Sequence, residues 1–347
     1  MLERTIRAVK PWSWRTFFFQ WEWLLVVIFI VVNIVNSSLS PYYFTLDTFV
    51  GTPMSFLDKA FLVLPMTMVI ILGNIDISVG STVALSAVVM AVTFHAGVPM
   101  PVAVLVCLAV ASLCGLVNGV LMTQFKELSS VIVTLATMII YRGIAYVILT
   151  DQASGNFPEW YSSLGWGAVG NVPIILIVFA VCAVVFGLLL HKTSFGRKIY
   201  GMGNNLTASR YSGIKTDSII MVVSVLTGLM AGFTALFLTS RMGSTRPNVA
   251  QGYELEVIAM VVLGGVSTSG GKGRIAGPLL AIFIIGFLNY GLGLVNIQAQ
   301  VLLIIVGLLL ILSVLVLNVR FRGRHQRPAA SAAKTTAAEE QPGKIHP

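Results

Sequence analysis

Long apolar runs separated by short polar ones dominate this chain. Ten apolar segments stand out, at 23–36, 57–73, 80–95, 101–122, 130–150, 172–190, 217–240, 254–265, 276–295 and 298–317. A helix that crosses a bilayer needs roughly 20 mostly apolar residues. Several of these segments are shorter than that. The 57–73 segment contains Pro65, and the 254–265 segment opens with Glu254 and Glu256. Short or broken segments are tolerated at membrane depth only where protein or a water-filled cavity covers them. The pattern predicts an all-α, polytopic membrane protein with about ten transmembrane helices over residues 23–317. A segment over 1–22 precedes that domain and a tail over 318–347 follows it. No small-x-small cleavage site follows the first run, so it reads as a retained span.

Composition agrees with this reading. Of the 347 residues 56% are apolar and only 10% charged, whereas a soluble domain carries about 25% charged residues. The net charge of +9 therefore carries no nucleic-acid signal, and its placement decides its meaning. With the N-terminus in the cytoplasm and ten alternating spans, 18 of the 22 Lys and Arg fall on the inner side. Lys59, Arg241 and Arg246 fall outside, and Arg142 falls within a span. That asymmetry predicts a multi-pass membrane protein with both termini cytoplasmic. Trp12, Trp14, Trp21 and Trp23 suit the membrane boundary. The arginines at 320, 322, 324 and 327 suit lipid headgroups, ahead of a tail too poor in apolar residues to bury a core.

Cys107, Cys114 and Cys182 lie in apolar runs and read as small buried hydrophobes. The four histidines, at 95, 191, 325 and 346, have no metal-ligand spacing. A weak internal repeat aligns Leu72-Gly-Asn-Ile-Asp-Ile-Ser-Val-Gly80 with Leu263-Gly-Gly-Val-Ser-Thr-Ser-Gly-Gly271. It implies two similar halves packed as a parallel repeat.

The longest well-patterned polar interruption runs from Thr193 to Gly213. Its second half reads as a short helix, with Asn205 at the N-cap and Gly213 at the C′ position. Arg197, Lys198, Arg210 and Lys215 make the stretch basic. A helix that short cannot stand alone, so it must lie on its own membrane domain or on another protein.

The remaining motifs each admit two readings. Asp76, in Gly73-Asn-Ile-Asp-Ile-Ser-Val-Gly-Ser81, either caps a broken helix together with Ser78 or contacts substrate. Arg142 is either an intramembrane site residue or a snorkelling side chain at the inner boundary. Asn118 and Asn289 either bond helix to helix or line a hydrophilic path. Gly264-Gly-Val-Ser-Thr-Ser-Gly-Gly-Lys-Gly-Arg274 is not a phosphate loop, because Gly273 stands where Ser or Thr should follow Lys272. There is no nucleophile–base set, catalytic carboxylate pair or metal cluster, and no ladder of protonatable residues along the spans.

Three blocks carry a resemblance. They are Gly73 to Ser81, Ser194-Phe-Gly-Arg-Lys-Ile-Tyr-Gly-Met-Gly-Asn-Asn205 through Ile214, and Gly252-Tyr-Glu-Leu-Glu-Val-Ile-Ala through Arg274. Tyr141-Arg-Gly143 also fits. The chain resembles, over roughly residues 25–317, the permease subunits of bacterial ABC importers for monosaccharides, of the ribose, xylose, rhamnose and autoinducer-2 type. Asn74, where Gly is commoner, looks more like the rhamnose and autoinducer-2 branches.

The resemblance implies a non-enzymatic subunit with no cofactor of its own. ATP would be bound by a cytoplasmic ABC ATPase. A second permease copy or homologue and an extracytoplasmic sugar-binding protein would complete the assembly. The 193–214 region then corresponds to the coupling loop, with Phe195, Gly196, Arg197, Gly203, Asn204, Leu206, Arg210 and Gly213 as candidate ATPase-coupling residues. The candidate path and gate residues are Asn74, Asp76, Ser78, Gly80, Asn118, Arg142, Gly264, Gly265 and Asn289. An ion-coupled carrier would instead work without an ATPase and fail with the ion gradient. A non-transporting scaffold or sensor could be deleted without loss of sugar uptake.

Overall fold

The computed structural model describes residues 21–297 and scattered helical positions between 301 and 315. The terminal segments and most of the tenth apolar segment lie outside the described residues. The other nine apolar segments each coincide with a helix. In chain order the elements are α1 (Trp21–Leu39), α2 (Leu46–Gly51), α3 (Pro53–Ile71), α4 (Val79–His95), α5 (Met100–Gln124) and α6 (Ser130–Leu149). Then come α7 (Glu159–Trp166), α8 (Ile174–Lys192), α9 (Ser194–Asn204), α10 (Leu206–Tyr211), α11 (Thr216–Met242), α12 (Tyr253–Leu263) and α13 (Ala276–Leu294).

Among the described residues seven helical stretches are long and apolar enough to cross a membrane; α4 is shorter and α12 has only 11 residues. Among the described residues strand is confined to two-residue pairs, Ser154–Gly155 with Ser244–Thr245 and Ala168–Val169 with Val172–Pro173. The chain is therefore all-α and polytopic.

Pro65 does not interrupt α3, which runs unbroken through it. The break comes afterwards, at 73–78. Neighbouring helices cover almost the whole of α3, so a Pro in mid-helix is supported from outside.

The core is organised around α3 and α11. α11 packs on α3, α4 and α5, and α3 also touches α8, α12 and α13. The α5–α11 seam is built from small residues. Gly115 on α5 meets Ser224 and Gly228 on α11, Gly119 meets Met221 and Ser224, and Gly232 on α11 meets Leu108 and Ala111. A Cβ on Gly228 would meet the Ala111 carbonyl and come within 3.0 Å of the Gly115 nitrogen. In lipid, helices associate through close backbone approach of this kind, since apolar side chains gain nothing over acyl chains. Gly228→Val is therefore expected to destabilise the domain by about 1–3 kcal/mol, read as a lower unfolding midpoint in detergent. Gly293→Ala is the control, because open space surrounds Gly293.

Candidate functional site: two helix breaks and the short helices beneath them

Two helices end in the same way. At the end of α3 the Gly73 N–H donates to the Ile70 carbonyl (2.9 Å) and the Asn74 N–H to Val69 (3.1 Å), with Gly73 at φ +83°. At the end of α12 the Gly265 N–H donates to Val262 (2.9 Å) and the Val266 N–H to Val261 (3.3 Å), with Gly265 at φ +87°. Both closures satisfy the last carbonyls through a left-handed glycine. The internal repeat is thus visible in the backbone, but one residue out of the sequence register. Gly73 corresponds structurally to Gly265, not to Gly264.

Beyond these closures the two copies diverge. The second folds into a turn, with Ser267 N–H on the Lys272 carbonyl at 3.0 Å. Gly271 N–H then donates to the Ile71 carbonyl at 2.8 Å, so the second break caps the helix that leads into the first. α9 ends on this junction. A Cβ on Gly203 would strike the Ile71 carbonyl and the Gly271 backbone, and Gly270 lies against the Gly203 carbonyl and the Gly73 nitrogen. The Tyr200 hydroxyl donates to the Gly273 carbonyl (2.7 Å), and the Asn204 amide donates to Gly271 (3.4 Å). Burial raises the Tyr200 phenol above its ordinary pKa, so the group stays a donor.

The first break is held by side chains. Ile75 N–H donates to Ser130 Oγ (3.2 Å) and Ile77 N–H to Thr134 Oγ1 (3.2 Å), both from α6. Irregular backbone at this depth needs such partners. Asp76 is buried and accepts from the Ser78 N–H (2.9 Å) and hydroxyl (2.7 Å). Asn118 Nδ2 donates to Ser78 Oγ (2.7 Å), and Tyr141 donates to Asn118 Oδ1 (3.3 Å) and the Cys114 carbonyl (3.0 Å). Asp76, Ser78 and Asn118 thus form one cluster.

Asn74 and Asp76 line a small cavity of about 10 Å³ together with Ser224. Asn74 also lines a cleft of about 310 Å³, with Gly73, Lys126, Ser130, Leu206, Arg210 and Asp217 on its other walls.

The other sequence candidates lie apart from this cluster. Gly80 sits in the first turn of α4 against the Ala250 carbonyl and the Glu254 carboxylate. Arg142 lies well inside α6 and not at its start. Its Nη1 donates to the carbonyls of Pro247 and Val249, both at 2.7 Å. It thereby satisfies backbone in the irregular 243–252 connection. Gly264 closes on Gly277 and Pro278, and Gly265 on Trp21, so both serve helix packing against α13 and α1. Asn289 lies on α13, with a buried Oδ1 that has no hydrogen-bond partner among the described residues.

The capped helix foreseen at 205–213 is α10. Asn205 accepts from Ala208 N–H (2.9 Å), and Gly213 is left-handed at φ +80°. Leu206 is 45% and Tyr211 89% exposed. Arg197 and Gly213 are also exposed, whereas Gly196 is buried against Leu190 and Phe195 packs on the core. Arg210 bonds Asp217 (3.2 Å), which also takes Lys126 (2.9 Å). These pairs are half exposed and contribute little to stability.

Sequence reasoning missed a charged group on α3, α11 and α12. Asp58 accepts from Arg241 Nη2 (2.7 Å) and the Tyr253 hydroxyl (3.2 Å), and Lys59 pairs with Glu256. Single apolar segments carry no signal for partners nearly 200 positions apart. They showed only as charges at or near the ends of apolar runs.

These features define a multi-pass membrane protein whose two helix breaks meet at one end of the bundle, beside the short helices α9 and α10. The family described as the branched-chain amino acid transport system / permease component matches residues 53–314, and the chain belongs to it. The chain is 33% identical over 301 residues to the autoinducer 2 import system permease protein LsrD of Escherichia coli (strain K12), covering 85% of this chain and 91% of that protein. The same figures hold for the LsrD proteins of Shigella flexneri and Escherichia coli O157:H7. No solved structure matches.

Proposed function

We propose that this chain is the membrane-spanning permease subunit of an ABC importer for a monosaccharide or a sugar-like signal of the autoinducer-2 type. A separate cytoplasmic ATPase drives it. A second permease copy or homologue completes the pore, and an extracytoplasmic binding protein delivers the substrate. The basic end, with α9 and α10, faces the cytoplasm, as do both termini; the concentration of Lys and Arg there supports this.

The observation that carries the reading is the seat of α9. Its last turn touches both helix breaks at once, while α10 beside it offers an exposed apolar surface. A force applied to α10 from below reaches both halves through backbone contacts, which suits alternating access. The sparsely polar surroundings of Asn74 and Asp76 suit a neutral, hydroxyl-rich substrate, which needs hydrogen bonds but no fixed counter-charge.

Cells lacking this chain are expected to lose uptake of one member of a panel of labelled monosaccharides and autoinducer 2. The chain purified from intact cells should bring an ATPase with it. Uptake that persists without the ATPase and collapses with the ion gradient would mean a secondary carrier instead.

A further inference from the structure

Lys59 lies six residues into α3, about 9 Å along the helix by its rise. Its partner Glu256 stands in the first turn of α12. The neighbouring Asp58 is fully buried and holds Arg241 from the end of α11 and Tyr253 from the start of α12. Lys59 is only 8% exposed and also sits over the Tyr253 ring, 5.1 Å from its centre. Two acids and two bases thus tie three helices together inside the span region, at the end of the bundle opposite α9.

Static packing does not demand them. Apolar side chains of similar volume hold helices together at least as well as a buried ion pair. Charged groups inside a membrane mark function by default. The helix they pin is short and ends on glycine at both sides. α12 has 11 residues and is bounded by left-handed glycines on both sides, Gly252 (φ +88°) and Gly265 (φ +87°).

We propose that the Lys59–Glu256 pair and the Tyr253–Asp58 hydrogen bond form a latch that holds α12 against α3 and closes the outer end of the path, with Arg241 of α11 balancing Asp58, and that the latch parts when the transporter opens outward. Naming that end as the outer one rests on the orientation given under the proposed function.

The test reads access and needs no substrate. Val63 lies one turn inward from Lys59 on the same face of α3 and is fully buried. The full chain carries Val63→Cys, with Cys107, Cys114 and Cys182 replaced. It is treated in right-side-out membrane vesicles with a membrane-impermeant anionic methanethiosulfonate. With the latch intact, position 63 is expected to label slowly.

Lys59→Met combined with Glu256→Gln removes both charges and orphans neither. Labelling should then accelerate by at least about tenfold, as a shifted closed–open equilibrium requires. Lys59→Glu combined with Glu256→Lys restores the pair and should return labelling to the slow rate. Unchanged labelling in the neutral variant would overturn the latch. So would a swapped pair that labels as fast as the neutral one, because the acceleration would then reflect lost packing. Latch-dependent labelling in a chain that supports no uptake would sink the transport reading and leave the latch standing.

Discussion

Gly203→Val is expected to reduce uptake at least a hundredfold while leaving the ATPase bound. Leu206→Asp together with Tyr211→Asp is expected to lose the ATPase itself. The two outcomes follow from the different surroundings of two neighbouring short helices, α9 and α10. A side chain at Gly203 has no free volume, since its first carbon would strike the Ile71 carbonyl and the backbone of Gly271. α9 must then lift from the junction at which both helix breaks meet. A hundredfold loss corresponds to about 2.7 kcal/mol, within the cost of overpacking a tight contact, about 1–3 kcal/mol.

Leu206 and Tyr211 touch no such junction and lie open on α10. Carboxylates there leave the fold intact but spoil an apolar docking surface. Uptake, membrane level and ATPase co-purification are measured for each variant. If Gly203→Val releases the ATPase as completely as the α10 variant does, α9 and α10 form a single docking surface and the division of labour is wrong.

How much of this was legible beforehand differs from element to element. α10 was readable because its signals are local: Asn205 caps its start, and Gly213 turns left-handed after its end. α9 was not. Gly196, Gly201 and Gly203 depress helix propensity over 11 residues, and the reason for two of those glycines is a neighbour elsewhere in the chain. Gly196 meets Leu190 across the corner from α8, and Gly203 meets Ile71. The repeat was visible in composition but misregistered, since identical residues aligned Gly73 with Gly264. Backbone conformation, which aligns left-handed with left-handed glycine, selects Gly265.

Pro65 looked like a break because propensity is a local quantity, and complete burial overrides it. The charged group at Asp58, Lys59, Arg241 and Glu256 is the largest omission from the site. Each residue was visible as a charge beside or within an apolar run, and nothing local paired them. Arg142 was singled out from its position in a span. Its partners, two loop carbonyls, could only be found in three dimensions.

The first break offers the second large contrast. Asp76→Asn is expected to keep most of the uptake, whereas Gly80→Leu abolishes it. Asp76 accepts two hydrogen bonds from Ser78, and Ser78 in turn receives Asn118. An asparagine can offer its carbonyl oxygen to the same two donors, so the cluster persists without the charge. Asp76→Ala differs from Asn, because it strands the buried Ser78 N–H and hydroxyl at about 1–3 kcal/mol per group. That variant should lower the unfolding midpoint as well as uptake.

Gly80 has no comparable tolerance. Its position in the first turn of α4 presses against the Ala250 carbonyl, in the connection that Arg142 also anchors, and against the Glu254 carboxylate in the first turn of α12. A leucine there forces the 243–252 connection away from α4 and disturbs the seat of α12. Uptake, surface level and melting are compared for the three variants. Loss of uptake in Asp76→Asn equal to that in Gly80→Leu, with normal level and melting, would show that the carboxylate charge itself acts on substrate or gate, beyond its role in holding Ser78.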